Sequence, residues 1–132
     1  MNEIDKLAWL CIKEKQLLAA RSRGKSVYYI PGGKRESNET DEQALVREIK
    51  EELSVDLLPE TIKYAAVFKA QAHNKPDGTL VKLSCYYAGF VGEIKPDAEI
   101  EEVMYLGYRD KMKSSVVTQI VMDWLKTEGM IE

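Results

Sequence analysis

Short apolar runs, separated by charged or glycine-containing breaks, fill residues 7–30. The runs at residues 7–12, 17–20 and 27–30 predict three strands, because each is too short for a helix and is bounded by turn residues. Residues 13–16 predict the turn of a hairpin. The basic loop at residues 21–25 then returns the chain toward the third strand.

A helix with an explicit start signal comes next. Thr40 and Gln43 have the spacing of a capping box, and the two acidic residues between them suit the positive end of a helix dipole. This pattern predicts a helix over residues 40–53. Its aliphatic positions fall on one face and predict a buried arc made by Leu45, Val46, Ile49 and Leu53.

The second half of the chain repeats the alternation of strands and a helix. Residues 62–72 and 79–91 are rich in strand formers, and the Pro-Asp-Gly turn between them predicts a second hairpin. An acidic loop at residues 99–102 precedes a short strand at 103–106. A helical stripe then follows, made by Val116, Val117, Ile120, Val121, Trp124 and Leu125.

This order of elements predicts an α/β fold, a mixed β-sheet with a helix against each face. The stripe on the last helix would then be buried as a cover for the sheet. A partner-binding helix is the alternative interpretation of the same stripe. A length of 132 residues predicts a single domain over residues 1–132.

Composition narrows the class of function. The net charge of −3 gives no general attraction to nucleic acid, so no stable nucleic-acid complex is expected. No apolar run approaches the ~18 residues of a membrane span, and the chain start lacks a signal-peptide pattern, which favours a cytoplasmic protein. Cys11 and Cys85 are expected to be buried and reduced, and His73 to lie in a solvated loop, so zinc and histidine chemistry lack their parts.

Three glutamates of the predicted helix lie beside its buried face. With Leu45 at zero, Glu52 falls near about −20°, Glu48 near about −60° and Glu51 near about −120°. Like charges at this spacing repel one another, and a divalent cation with hard oxygen ligands would offset the repulsion. A solvated, glutamate-rich helix explains the helix alone about equally well.

The wider spacing favours the metal. Five residues separate Gly33 from Glu39, seven more lead to Arg47-Glu48-Ile49, and Glu51-Glu52 and Val55 follow after one and two further residues. This pattern resembles the Nudix box of the Nudix hydrolases, and it departs from that box at one position. Ser54 stands where the family has glycine, at a helix end that we expect to need a left-handed backbone.

The resemblance implies a Nudix-type α/β/α sandwich and a set of residue roles. Glu48, Glu51 and Glu52 would hold Mg²⁺ or Mn²⁺, with the Gly32 carbonyl as a further candidate ligand. A helix glutamate or an acid from elsewhere would take the proton of the attacking water. Arg47 would orient a catalytic glutamate or clamp the preceding loop through Glu39. The resemblance gives a structural role within the box to Glu39, Ile49 and Val55.

Outside the box the candidates are weaker. Glu99 and Glu102 are candidates for an additional acid from a later loop, and a solvated acidic run is the alternative. The candidates for phosphate or base contacts are Gly33, Lys34, Arg21, Arg23, Lys25 and Tyr28. Solubilising charges and a packed tyrosine explain the side chains of that set almost as well.

The resemblance implies cleavage of a nucleoside diphosphate linked to another moiety. We expect a small-molecule substrate, a normal or oxidised nucleoside triphosphate, that is cleaved to the monophosphate and pyrophosphate by a monomer or homodimer. Two alternatives stay open. One is a regulatory Nudix domain that binds a nucleotide without turnover, against which the intact glutamate set argues, and the other is a pyrophosphohydrolase acting on RNA 5′ ends.

Overall fold

The computed structural model describes residues 3–132, which contain nine strands, two α-helices and two short 3₁₀ helices. The α-helices are α1 (Asp41–Leu53) and α2 (Val116–Thr127), and the 3₁₀ helices are Pro59–Thr61 and Tyr108–Lys113. The strands are β1 (Glu3–Leu10), β2 (Ile12–Lys13), β3 (Gln16–Ser22), β4 (Gly32–Gly33), β5 (Asp56–Leu57), β6 (Lys63–Gln71), β7 (Leu80–Tyr87), β8 (Phe90–Val91) and β9 (Ile100–Leu106).

A mixed four-stranded sheet organises the molecule in the order β4-β1-β7-β6. Strand β1 runs parallel to β7 and antiparallel to β4, and β6 and β7 form the predicted second hairpin. A second sheet has the antiparallel order β2-β3-β9, and β5 pairs with β8 in a small ribbon. The predicted α/β class is confirmed, although the strands are divided among three sheets.

The second half of β1, residues 7–10, is buried on both faces, which explains its continuous apolar run. Leu7 and Trp9 pack in one core against α1, whereas Ala8 and Leu10 pack in the other core with α2. Each helix therefore covers its own face of the strands. Side chains of β1 that precede Leu7 extend from the edge of these cores, and the site described below lies at that edge.

Helix α1 begins and ends as its local signals predict. The Thr40 hydroxyl accepts a hydrogen bond from the Gln43 amide at 3.1 Å, and the Gln43 side chain accepts one from the Thr40 amide at 2.9 Å. At the other end Ser54 has φ 65°, so the expected left-handed conformation is present without a glycine. The buried residues of the helix are Ala44, Leu45, Ile49, Glu52 and Leu53.

The prediction for the buried face of α2 is partly wrong. Val116 is 49% exposed and Ile120 is 36% exposed, whereas Thr118 and Met122 are fully buried. The helix is thus rotated relative to the expected stripe. The rotation is possible because the Thr118 hydroxyl has a hydrogen-bond partner in the Ser115 hydroxyl, 2.9 Å away, so its burial leaves no orphaned polar group.

Two further segments differ from expectation. Residues 27–30 form no regular strand; Tyr28 and Tyr29 make isolated bridges to Ser114 and Ala20. The end of the acidic run is not a loop, because Glu101 and Glu102 lie in β9, where Glu102 stands opposite Arg21 of β3. Cross-strand charge pairing draws these acids into the sheet.

The expectations for the two cysteines and for His73 agree with the structure, whereas Val46, expected in the buried arc of α1, is only half-buried. Both cysteines are buried and free, and His73 is exposed in the turn after β6. Within residues 3–132, none of the helices has the length and apolar character needed to span a membrane.

Candidate active site

A cavity of about 630 Å³ opens where the N-terminal half of β1 meets β4, α1 and the start of α2. Its lining includes three acids, Glu48, Glu52 and Glu99. It also includes apolar side chains, among them Ile30, Val81 and Val117. Polar and apolar side chains in one cavity are typical of a site that binds an amphipathic small molecule.

Glu52 is the most buried acid of this wall, with 5% of its surface exposed. Its carboxylate accepts a hydrogen bond from the Gly32 amide at 3.2 Å, and burial raises its pKa to about 8 despite that bond. The neighbouring charges of Glu48 and Glu99 raise the pKa further. Around the circumference of α1, Glu52 lies between the apolar arc and Ala44. Because Ala44 is also buried, Glu52 belongs to the buried face of the helix.

Glu48 lies one turn earlier on α1 and is held against the backbone of Gly33. A methyl group on Gly33 would stand 1.9 Å from Glu48 Oε2, so only glycine leaves room for this carboxylate. Burial raises the pKa of Glu48, and the ion pair with Arg47 opposes that effect. Gly33 thus forms a cradle for the carboxylate.

Gly32 is also a position that only glycine can fill, in this case because the backbone of β1 lies so close to it. A Cβ atom there would lie 1.9 Å from the Leu7 carbonyl oxygen of β1, and φ is +153°. The close pairing of β4 with β1 therefore depends on glycine at this position. It also fixes the amide that bonds Glu52.

Arg47 occupies the centre of an ion-pair network outside the cavity. Its guanidinium binds both oxygens of Glu39, at 2.7 and 2.9 Å, and donates to the Lys34 carbonyl at 3.0 Å. Hydrogen bonds from Arg47 hold the pKa of Glu39 at about 2. A further bond at 2.8 Å reaches Glu48. Arg47 makes both contacts considered for it, orienting a glutamate and clamping the loop.

Glu51 does not join the other two glutamates. It is exposed, and it lies 3.5 Å from Arg47 on the outer side of the helix. Ile49 and Val55 are fully buried in the core beside α1. Of the three expected ligands, the structure brings only Glu48 and Glu52 together at the cavity wall.

The two candidates for an additional acid have different surroundings. Glu99 lines the cavity, and its side chain has no hydrogen-bond partner within residues 3–132. Glu102 accepts hydrogen bonds from the Tyr28 hydroxyl at 2.6 Å and from Arg21 at 3.0 Å. These bonds lower the pKa of Glu102. Glu102 is thus committed to a structural network away from the cavity.

That network also corrects the expected substrate contacts. Arg21 is bound by Glu101 and Glu102, and the ring of Tyr28 is buried, so neither side chain lines the cavity. Arg23 is likewise absent from the cavity wall, whereas Lys34, Lys25 and Gly33 belong to it. Of the basic loop, Arg21 is thus neutralised by two acids of β9, whereas Lys25 stays available at the cavity.

Several cavity residues were not predicted from the sequence. They are Lys6 of β1, Lys75 of the turn after β6, and Tyr29, whose hydroxyl lies 2.7 Å from that of Ser22. Burial raises the pKa of Tyr29 to about 12. In the sequence, Lys6 is simply a lysine before a buried apolar run, and that position alone does not indicate a functional role. Only the pairing of β1 with β4 and β7 places it beside the glutamates.

The side chains, as they stand, do not form a complete metal cage. Within residues 3–132 no group of three His, Cys, Asp or Glu side chains is close enough to hold an ion. The donor set nevertheless fits Mg²⁺ or Mn²⁺, because such ions take one or two carboxylates and complete their shell with water and phosphate oxygens. Glu48 and Glu52 supply those two carboxylates, and the cradle at Gly33 holds the first of them.

Comparison with known proteins identifies the family. The model of the NUDIX domain matches residues 5–115, and the chain belongs to this family. It is 38% identical over 72 residues to an 8-oxo-dGTP diphosphatase of Proteus vulgaris, a match that spans 52% of this chain and 60% of that relative.

Solved structures agree on the fold. A MutT protein from Methanosarcina mazei has a TM-score of 0.77 at 17% identity, covering 97% of this chain and 96% of its own. A MutT NUDIX hydrolase from Burkholderia pseudomallei has a TM-score of 0.76 at 21% identity, covering 93% of this chain and 98% of its own. The expected α/β/α Nudix fold is thereby confirmed.

Proposed function

We propose that the protein is a metal-dependent pyrophosphohydrolase that cleaves a nucleoside diphosphate linked to another moiety. The proposed substrate is a normal or oxidised nucleoside triphosphate, cleaved to the monophosphate and pyrophosphate. The observation that carries the proposal is that one cavity holds two partly desolvated carboxylates, Glu48 and Glu52, together with lysines that form no ion pair within residues 3–132. The likeness of half the chain to an 8-oxo-dGTP diphosphatase supports the same substrate class.

Glu48 and Glu52 would hold Mg²⁺ or Mn²⁺, and Gly32 belongs to the same wall. Glu51 would join them only by leaving Arg47. A bound cation of this kind neutralises charge on the phosphates and acidifies a water molecule. Arg47 acts as a positioning residue, because its bonds fix Glu48 and the loop at Lys34.

The reaction adds one water molecule across one P–O–P linkage. The water oxygen bonds to one phosphorus, the bridging P–O bond breaks, and the bridging oxygen leaves with the pyrophosphate. We assign the proton of the water to Glu99, since it lines the cavity and its carboxylate has no hydrogen-bond partner among the residues that the structure describes. The lysines of the wall hold the phosphates in place.

The test is a panel of nucleoside triphosphates, oxidised nucleoside triphosphates, dinucleoside polyphosphates, nucleotide sugars and capped RNA, with Mg²⁺ or Mn²⁺. Release of phosphate and pyrophosphate is measured. We expect pyrophosphate from triphosphates, and Glu52→Gln should lower turnover by about a hundred-fold or more, because it removes a charged ligand.

Glu42→Gln is the matched control, since Glu42 is exposed on the same helix and does not line the cavity. It should leave turnover unchanged. Full activity in Glu52→Gln, or no hydrolysis of any compound by the unmodified protein, would refute the proposal.

A further inference from the structure

Four lysines and three glutamates line the cavity, so its wall carries an excess of positive charge although the whole chain carries −3. The lysines are Lys6, Lys25, Lys34 and Lys75. The net charge of the chain therefore gives the wrong impression of this site, which attracts anions before any bound cation is counted.

Three of these lysines converge on one region. Leu7 of β1 stands opposite Gly33 of β4, and continuing this antiparallel register brings Lys6 opposite Lys34. Burial lowers the pKa of Lys6, as do the charges of Lys34 and Lys75, while the charges of Glu52 and Glu48 oppose this shift. The Lys6 side chain is exposed but lines the cavity, whose walls exclude part of the water around it.

No carboxylate in residues 3–132 forms a direct ion pair with these lysines. None of the cavity lysines makes an ion pair within 4 Å in residues 3–132, although Glu48, Glu52 and Glu99 share the cavity with them. Like charges on paired strands are destabilising. A cavity lined by both lysines and glutamates fits a polyphosphate that contacts the lysines directly and the glutamates through a cation.

The position of Lys75 is built rather than accidental. The Gln71 side chain binds the carbonyls of Lys75 and Pro76, at 3.2 and 3.0 Å, and accepts a bond from the Gly78 amide at 3.0 Å. Gln71 thus fixes the backbone of the turn that carries Lys75. This turn contributes His73, Asn74 and Lys75 to the lining of the cavity.

We propose that Lys6, Lys34 and Lys75 form a subsite for the phosphates beyond the reacting linkage, so that the protein selects nucleoside triphosphates over diphosphate-linked compounds. This inference rests on the proposed function. Three ammonium groups match the outer phosphates of a triphosphate, which leave as pyrophosphate. A nucleotide sugar places an uncharged ring in the same region and leaves the lysines unmatched.

Binding measurements separate this subsite from the reaction itself. Calorimetric affinities for α,β-methylene-dGTP and α,β-methylene-dGDP, which are not cleaved at the α,β position, are compared in the presence of Mg²⁺. We expect the unmodified protein to prefer the triphosphate analogue. Lys6→Met should weaken triphosphate binding by about ten-fold, since one charge-assisted contact is lost, and should change diphosphate binding far less.

Two variants complete the test. Lys6→Arg keeps the charge and should retain the preference for the triphosphate. Lys63→Met is the matched control, because Lys63 is an exposed strand lysine outside the cavity, and it should change neither affinity.

Each result has a definite meaning. Equal losses for both analogues in Lys6→Met, unchanged binding in it, or no preference in the unmodified protein would overturn the subsite. Thermal unfolding of Lys6→Met, expected to be unchanged or higher, shows that lost binding is not lost folding. Retained triphosphate preference without hydrolysis of any compound in the panel would instead refute the proposed function and leave the subsite standing.

Discussion

Replacing Glu52 with glutamine should stabilise the metal-free protein. The Glu52 side chain is 5% exposed, and burial raises its pKa from 4.5 to about 8. Between these two values the folded protein keeps a proton that the unfolded chain has released. Stability must therefore fall as the pH rises through this window. Glutamine removes the titration and keeps an oxygen that accepts the Gly32 amide.

The size of the effect follows from the same two values. A pH of 7 lies 2.5 units above the ordinary carboxyl pKa of 4.5. Each unit costs about 1.36 kcal/mol, so keeping the proton on Glu52 at pH 7 costs the folded state about 3 kcal/mol as an upper value. Above pH 8 the full penalty is about 5 kcal/mol, and below pH 4.5 it vanishes. The gain in free energy of unfolding from Glu52→Gln should thus be largest at high pH.

Urea unfolding in EDTA at pH 5, 7 and 8.5 measures the difference. Glu42→Gln, at an exposed position of the same helix, should show no comparable gap. Added Mg²⁺ should stabilise the unmodified protein far more than Glu52→Gln, because only a folded site with its ligands intact binds the ion. A Glu52→Gln protein that is less stable at pH 7, or a gap that does not change with pH, would show that the burial argument is wrong.

Two other substitutions test local geometry. Gly33→Ala places a Cβ 1.9 Å from Glu48 Oε2, so turnover should fall by about ten-fold or more as the carboxylate moves. Gly89→Ala is the control and should have normal turnover, because the nearest neighbour of a Cβ there is 3.5 Å away. Normal turnover in Gly33→Ala would contradict the cradle. Ser54→Gly removes a left-handed serine at φ 65° and should raise the free energy of unfolding by about 1 kcal/mol, measured in urea. A lower stability would mean that the bond from Ser54 Oγ to the Lys95 carbonyl, at 3.3 Å, matters more than the backbone.

Local signals predict helix α1 almost to the residue. The capping box at Thr40 and the left-handed end at Ser54 involve atoms within a few positions of each other, so the sequence contains all that determines them. The order in which the glutamates are buried also follows from the helix wheel. Glu52 is buried, Glu48 partly so and Glu51 exposed. The wheel underestimates the depth of Glu52 because the small Ala44 lets β1 and β4 approach that side of the helix.

Contacts between distant segments account for the errors. The rotation of α2 depends on the strands it covers, and apolar residues at both Val116 and Val117 leave the facing side open to either choice. Arg21 and Tyr28 suit a phosphate and a base, but their partner Glu102 lies more than seventy positions away, at separations of 81 and 74. No local pattern reveals such a partner.

The same long-range pairing that hides partners from the sequence creates the site. Glu52 and Lys6 each lie where burial opposes their charge, and burial is the largest influence on the pKa of both. The charges of Glu48 and Glu52 offset part of the repulsion on Lys6. Within residues 3–132, however, no lysine and glutamate of the cavity pair within 4 Å, so neither set is fully neutralised. A cation beside the glutamates and a polyphosphate beside the lysines would relieve both costs at once. The unfavourable electrostatics of the cavity are therefore of the kind that the proposed cation and the proposed polyphosphate would offset.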